Sequence, residues 1–124
     1  MKVLILEPDP TLRNNYGVYA RDECDYEVIT AEDGTFLSRN WEEVQTCDVI
    51  VIDLLVPFGG LNCLKFLDER GWTKPVFLHH TSRWHGDLSL VDLKRVSKTH
   101  QFAEFGLKTF DGARMIWFLD KHIP

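Results

Sequence analysis

Asp53 ends an apolar run, Val49-Ile50-Val51-Ile52, and is followed by Leu54-Leu55-Val56-Pro57 and the glycine pair Gly59-Gly60. A strand apolar on both faces is one buried in a parallel sheet, and ligands of open α/β sheets bind at the carboxyl ends of such strands. A carboxylate delivered to that edge is a candidate phosphoryl acceptor or metal ligand. Glu7 closes the first apolar run, Lys2 to Leu6, and would arrive beside it. Two neighbouring carboxylates repel unless a cation lies between them, and oxygen donors of this kind suit Mg²⁺. Lys108 ends another apolar run and could balance an added anion, while His79-His80-Thr81-Ser82 brings hydroxyls able to hold a phosphoryl oxygen. His79, His80 and His85 suggest zinc at first sight. Adjacent residues on a strand face opposite sides, so a histidine cluster around one ion is not expected.

Such residues need a scaffold that alternates strands and helices, and the apolar spacing supplies one. Strands are expected at Lys2–Leu6, Tyr26–Ala31, Asp48–Asp53, Val76–His79 and Phe102–Leu107. Helices are expected from Leu12 to Cys24, capped by Asp9 or Thr11, from Thr35 to Gln45, from Leu61 to Arg70, across Leu88 to Val96, and from Asp111 onward. Five βα repeats imply a parallel, doubly wound α/β sheet. Right-handed crossovers then favour the flavodoxin-like order 2-1-3-4-5, which makes strands one and three neighbours at the switch point. Glu7 and Asp53 would meet there.

The 124 residues fit a single domain spanning 1–124, and 44% hydrophobic with 27% charged residues is an ordinary globular balance. A formal net charge of -5 argues against general binding to nucleic acid or to anionic membranes. No stretch reaches the roughly 20 apolar residues of a membrane span, and the start of the chain is too short for a signal peptide. Cys24, Cys47 and Cys63 are widely spaced with no CxxC pair, as expected of free thiols in a reducing compartment such as the cytoplasm. Trp72 and Trp84 fall in loops, where they would either mark a partner surface or cover the edge of the core.

Taken in order, these segments resemble the receiver domain of two-component response regulators over nearly the whole chain. The resemblance is carried by Val3-Leu4-Ile5-Leu6-Glu7 with Asp9-Pro10 and Leu12-Arg13, by Tyr26-Glu27-Val28 through Gly34, by Asp53 through Pro57, by Pro75-Val76-Phe77-Leu78, and by Lys108 with Phe110. It implies that Asp53 is the phosphoacceptor, that Lys108 contacts the phosphoryl group, and that Thr81, Ser82 or His80 fills the switch-hydroxyl position. Phe105 would be the switch aromatic. Glu7, Asp53 and the backbone carbonyl of Leu55 would hold Mg²⁺, with Asp9 as a further candidate ligand. The expected partners are a sensor histidine kinase or phosphotransfer protein, an effector docking on the face built from the last two helices and fifth strand, and a second copy in a homodimer.

Departures from the family pattern are equally legible. Pro8 stands where a second acid is usual, so Mg²⁺ binding is expected to be weak or absent. Thr109 replaces a cis-proline, and a cis bond before a non-proline residue costs about 3 kcal/mol. The loop after Asp53 is one residue short, and the segment between Thr81 and Lys108 is long. The functions in competition are a phosphorylatable receiver, a pseudo-receiver that binds partners without phosphorylation, and a metal-dependent hydrolase. The last lacks a second catalytic acid after Asp53, and a flavin site lacks its phosphate cradle. A signalling domain rather than an enzyme is the expected class, with self-phosphorylation and self-dephosphorylation at Asp53 as its only chemistry.

Overall fold

The computed structural model describes residues 1–80, 103–107 and 113–122. Within them the order is β1 (Lys2–Leu6), α1 (Pro10–Cys24), β2 (Glu27–Ala31), α2 (Phe36–Arg39), α3 (Trp41–Val44), β3 (Val49–Asp53), α4 (Gly60–Glu69), β4 (Val76–His80), β5 (Ala103–Leu107) and α5 (Ala113–His122). The strands form one sheet in the order β2-β1-β3-β4-β5, every neighbouring pair parallel. The α/β fold and strand order expected from the sequence are therefore present. The helix expected over Leu88 to Val96, together with Thr81, Ser82, Trp84, Lys108 and Thr109, lies outside the described residues.

The alternation of side chains along each strand builds two cores, one on either side of the sheet. Leu4, Leu6, Ile50, Ile52, Val76 and Leu78 face one way, where α2, α3 and α4 bring Leu37, Val44, Cys63, Leu64 and Leu67. Val3, Ile5, Val49, Val51 and Phe77 face the other, against Tyr16 and Ala20 of α1 and Met115, Phe118 and Leu119 of α5. All five residues of β3 are buried, as its unbroken apolar run requires. Each fully buried side chain of this size is worth roughly 1.5–3 kcal/mol. No helix among the described residues is long and apolar enough to cross a membrane.

Local chemistry sets the element ends. Asp9 caps α1, its carboxylate accepting the N–H groups of Thr11 and Leu12 at 2.9 Å each, so the helix starts at Pro10 rather than Leu12. Asp25 closes it in the left-handed region (φ 56°), which short polar side chains tolerate. The single helix expected over Thr35 to Gln45 is two short ones. Asn40 leaves helical dihedrals (φ −130°, ψ 37°) between them, while its carbonyl accepts from Val44 N–H at 3.0 Å. Asparagine is a poor helix former, and the helical spacing of Phe36, Leu37, Trp41 and Val44 does not override it; Asn40 itself makes no side-chain cap bond. Trp72 is only 8% exposed. It packs at 6.2 Å from Trp41, which in turn meets Phe66 edge-on at 5.5 Å. Trp72 therefore covers the core edge.

Candidate functional site

The register of the sheet brings the ends of β1, β3 and β4 together. Leu6 pairs with Ile52, and Asp53 pairs with His79. The residue after Leu6 is Glu7, whose N–H continues the β1–β2 ladder to Ala31 O at 3.0 Å. Glu7 follows Ile5 by two positions, Asp53 follows Val51 by two, and His79 follows Phe77 by two. All three therefore emerge on the α1–α5 side of the sheet. One ligating atom from each of Glu7, Asp53 and His79 lies within 4.8 Å of the other two. Their relative exposures are 0%, 3% and 1%, so the cluster sits at the top of the core and not on an open surface.

Each member is held by its own surroundings. Asp53 Oδ1 accepts the N–H of Leu55 at 2.8 Å, which fixes the carboxylate against the turn that follows it. That turn closes through Val56 N–H to Asp53 O (3.1 Å), Gly59 N–H to Val56 O (2.7 Å) and Gly60 N–H to Leu54 O (3.0 Å). A Cβ on Gly60 would stand 2.8 Å from Leu54 Cα, so the close return of the chain needs glycine there. Phe58 in the same turn has φ 83° and Gly59 φ 93°, and the Phe58 ring is half exposed. On the β1 side Arg13 donates to the carbonyl of Glu7 at 3.0 Å and of Pro8 at 3.4 Å. Its guanidinium also lies 4.0 Å from Glu32. Helix α1 is thereby tied to the loop that carries Glu7.

His79 was not singled out by the sequence as part of this site. Its Nε2 lies 3.8 Å from Glu7 Oε2. Its ring stands 5.6 Å from those of Tyr16 and Phe77, and its carbonyl accepts the N–H of Leu54 at 2.8 Å. The opposite-face argument against a histidine cluster holds for neighbours on one strand, but it leaves one histidine free to meet carboxylates from two other strands. The signal that finds it is cross-strand: His79 is level with Asp53 once β3 and β4 are aligned.

The other expected site residues divide three ways. Asp9 is exposed and spends its carboxylate on the α1 cap, outside the Glu7–Asp53–His79 cluster. The backbone of Phe105 lies in β5 level with Leu78. Lys108, Thr81 and Ser82 lie outside the described residues. The cysteines are free and buried. Burial pushes the thiol of Cys63 up to about 12 and that of Cys47 up to about 11. Burial, followed by the Asp120 carboxylate, raises Cys24 to about 11. Thiols of that kind stay protonated and do not compete with the carboxylates for chemistry.

No protein-family model and no curated protein sequence matches the chain. Solved structures do. The response regulator TrrA of Thermotoga maritima, crystallised with Mg²⁺ and BeF, is 21% identical, with a TM-score of 0.75 over 99% of this chain and 100% of that one. The BeF3-activated receiver domain of RstA from Klebsiella pneumoniae is 19% identical, with a TM-score of 0.76 over 98% and 97%. The NtrC4 receiver domain, solved as a beryllofluoride-activated dimer, is 22% identical, with a TM-score of 0.72 over 97% and 93%. The fold of this chain is that of the response regulator receiver domain.

Proposed function

We propose that the chain is a receiver domain that takes a phosphoryl group on Asp53 from a partner histidine kinase or phosphotransfer protein and changes its protein contacts in response. The observation that supports this most is the placing of Asp53. It is the last residue of the central strand, buried, with its carboxylate oriented by Leu55 N–H at 2.8 Å and with Glu7 on the same face. In the transfer, an Asp53 oxygen attacks phosphorus and the new O–P bond replaces the P–N bond of the donor. The donor imidazole leaves with that electron pair; it is neutral on leaving if its other ring nitrogen already carries a proton, and otherwise it takes one from solvent.

Two buried carboxylates this close favour a cation, and Glu7 with Asp53 fits the Mg²⁺ used by receiver relatives in charge and oxygen chemistry. Bound there, Mg²⁺ would offset the charge of the incoming phosphoryl group. Pro8 adds no carboxylate and Asp9 is turned to α1, so Glu7 is the acid that β1 contributes. Lys108 and Thr81 or Ser82 would contact the phosphoryl oxygens, and Phe105 would couple the site to the effector face. A signalling role through a kinase, an effector and a second copy follows from the same reading.

The second reading is a pseudo-receiver that binds partners with Asp53 unmodified. It is favoured by His79, whose imidazole occupies space beside both carboxylates. Incubation with acetyl phosphate and Mg²⁺, read by intact mass with Asp53→Asn as control, separates the two. A Mg²⁺-dependent gain of one phosphoryl group in the wild type alone supports the receiver. No gain from acetyl phosphate or from phosphorylated kinases overturns it in favour of the pseudo-receiver.

A further inference from the structure

We propose that Glu7, Asp53 and His79 form a carboxylate–imidazole site for a borderline divalent transition ion, Zn²⁺ above all, which binds there in preference to Mg²⁺. The inference rests on the reading of Asp53 as the centre of the site. It concerns which ion the site selects, a question that phosphorylation does not answer.

The donor set carries the argument. Mg²⁺ is a hard ion that asks for near-octahedral oxygen ligands, sheds water reluctantly and is seldom enclosed by protein side chains alone. Here one of the three donors is an imidazole nitrogen, and all three residues are 3% exposed or less. Zn²⁺ takes imidazole nitrogen and carboxylate oxygen together, and three protein ligands with a fourth position left for solvent or an anion is its usual open arrangement.

The geometry agrees with the chemistry. Zn²⁺ holds N and O donors at about 2.0–2.2 Å, which puts tetrahedral neighbours roughly 3.3–3.6 Å apart. His79 Nε2 and Glu7 Oε2 are 3.8 Å apart, and no pair in the cluster exceeds 4.8 Å. These separations exceed the tetrahedral ones by on the order of 1 Å or less, a side-chain adjustment rather than a backbone one. The imidazole itself need not move. It is fixed at 5.6 Å from the rings of both Tyr16 and Phe77, and it stands on a strand paired in register with the one that carries Asp53. A ligand locked in this way loses little freedom when the ion arrives.

The test uses the whole chain, stripped of metal with a chelator, and titrates Zn²⁺ against a chromophoric competitor, Co²⁺ by its visible absorption, and Mg²⁺ by calorimetry. One Zn²⁺ per chain is expected, bound at least about 100-fold more tightly than Mg²⁺. His79→Leu should weaken Zn²⁺ about tenfold or more and leave Mg²⁺ nearly unchanged, whereas Asp53→Asn should weaken both. Should His79→Leu fail to fold, the wild type still decides: Co²⁺ must shift the imidazole proton resonances of His79 strongly, because it binds that ring directly. Equal affinities for Zn²⁺ and Mg²⁺ overturn the proposal, as does Zn²⁺ binding that survives His79→Leu or leaves the His79 resonances in place. A chain phosphorylated with Mg²⁺ but indifferent to Zn²⁺ would sink this inference and keep the receiver function. Selective Zn²⁺ binding without phosphorylation would do the reverse.

Discussion

Asp53 and His79 lie level on the adjacent parallel strands β3 and β4, their side chains on the same face and their backbones linked by Leu54 N–H to His79 O at 2.8 Å. The pairing makes the imidazole a fixed neighbour of the Asp53 carboxylate. It also means that the two residues cannot shift independently without breaking the sheet between them.

Asp9 should prove to be a helix cap and not a ligand. Asp9→Ala removes the acceptor for Thr11 and Leu12 N–H and should cost about 0.5–2 kcal/mol by thermal or chemical denaturation. Asp9→Asn, itself a good cap, should cost much less. Divalent-ion affinity should be the same in both variants and the wild type, as calorimetry would read directly.

Gly60 and Gly71 offer a contrast between steric and conformational demands. A Cβ at Gly60 would meet Leu54 Cα at 2.8 Å and Leu54 O at 3.0 Å, backbone atoms that have no room to yield. Gly60→Ala should cost about 1–3 kcal/mol and slow any modification of Asp53, whose loop it displaces. Gly71 has φ 73° but nothing within 4 Å of a built Cβ. Gly71→Ala should cost only the left-handed penalty of about 1–2 kcal/mol and leave Asp53 chemistry untouched.

Cys63 should make the fold sensitive to alkali. Its thiol rises from an ordinary 9.0 to about 12 through burial. The native state therefore keeps a proton that the unfolded chain releases above pH 9. That contribution to stability is intact below about pH 9 and is lost progressively as the pH climbs toward about 12. Over that interval the stability of Cys63→Ala should fall less steeply with pH than that of the wild type. Parallel curves would mean that the native thiol ionises as readily as the unfolded one.

The fold was legible because its physics is local and repetitive. Short β-branched apolar runs such as Val49-Ile50-Val51-Ile52 read as buried strands, and their alternation with helices leaves few topologies. Asp9 was readable as one of two candidate caps, beside Thr11, and Glu7 and Asp53 as strand-end acids, from position alone. The break at Asn40 was hidden because helical spacing continues across it, and only the observed dihedrals expose the interruption. His79 was hidden for a different reason. Its role depends on which residue of β3 stands opposite, and cross-strand register is not written in the spacing of either strand by itself.

The sheet also stands between two indoles and the carboxylates. Trp41 and Trp72 pack on the α4 side, among Leu37, Val44 and Leu64, whereas Glu7, Asp53 and His79 lie on the side of Tyr16 and Phe77. The emission of those two tryptophans should follow melting of the chain and stay nearly silent when an ion or phosphoryl group arrives. Tyr16, with its ring 5.6 Å from that of His79, is a chromophore placed to notice the arrival. For Trp41 and Trp72 on the one hand and Tyr16 on the other, the optical records of folding and of ligation thus lie on opposite sides of a single layer of backbone.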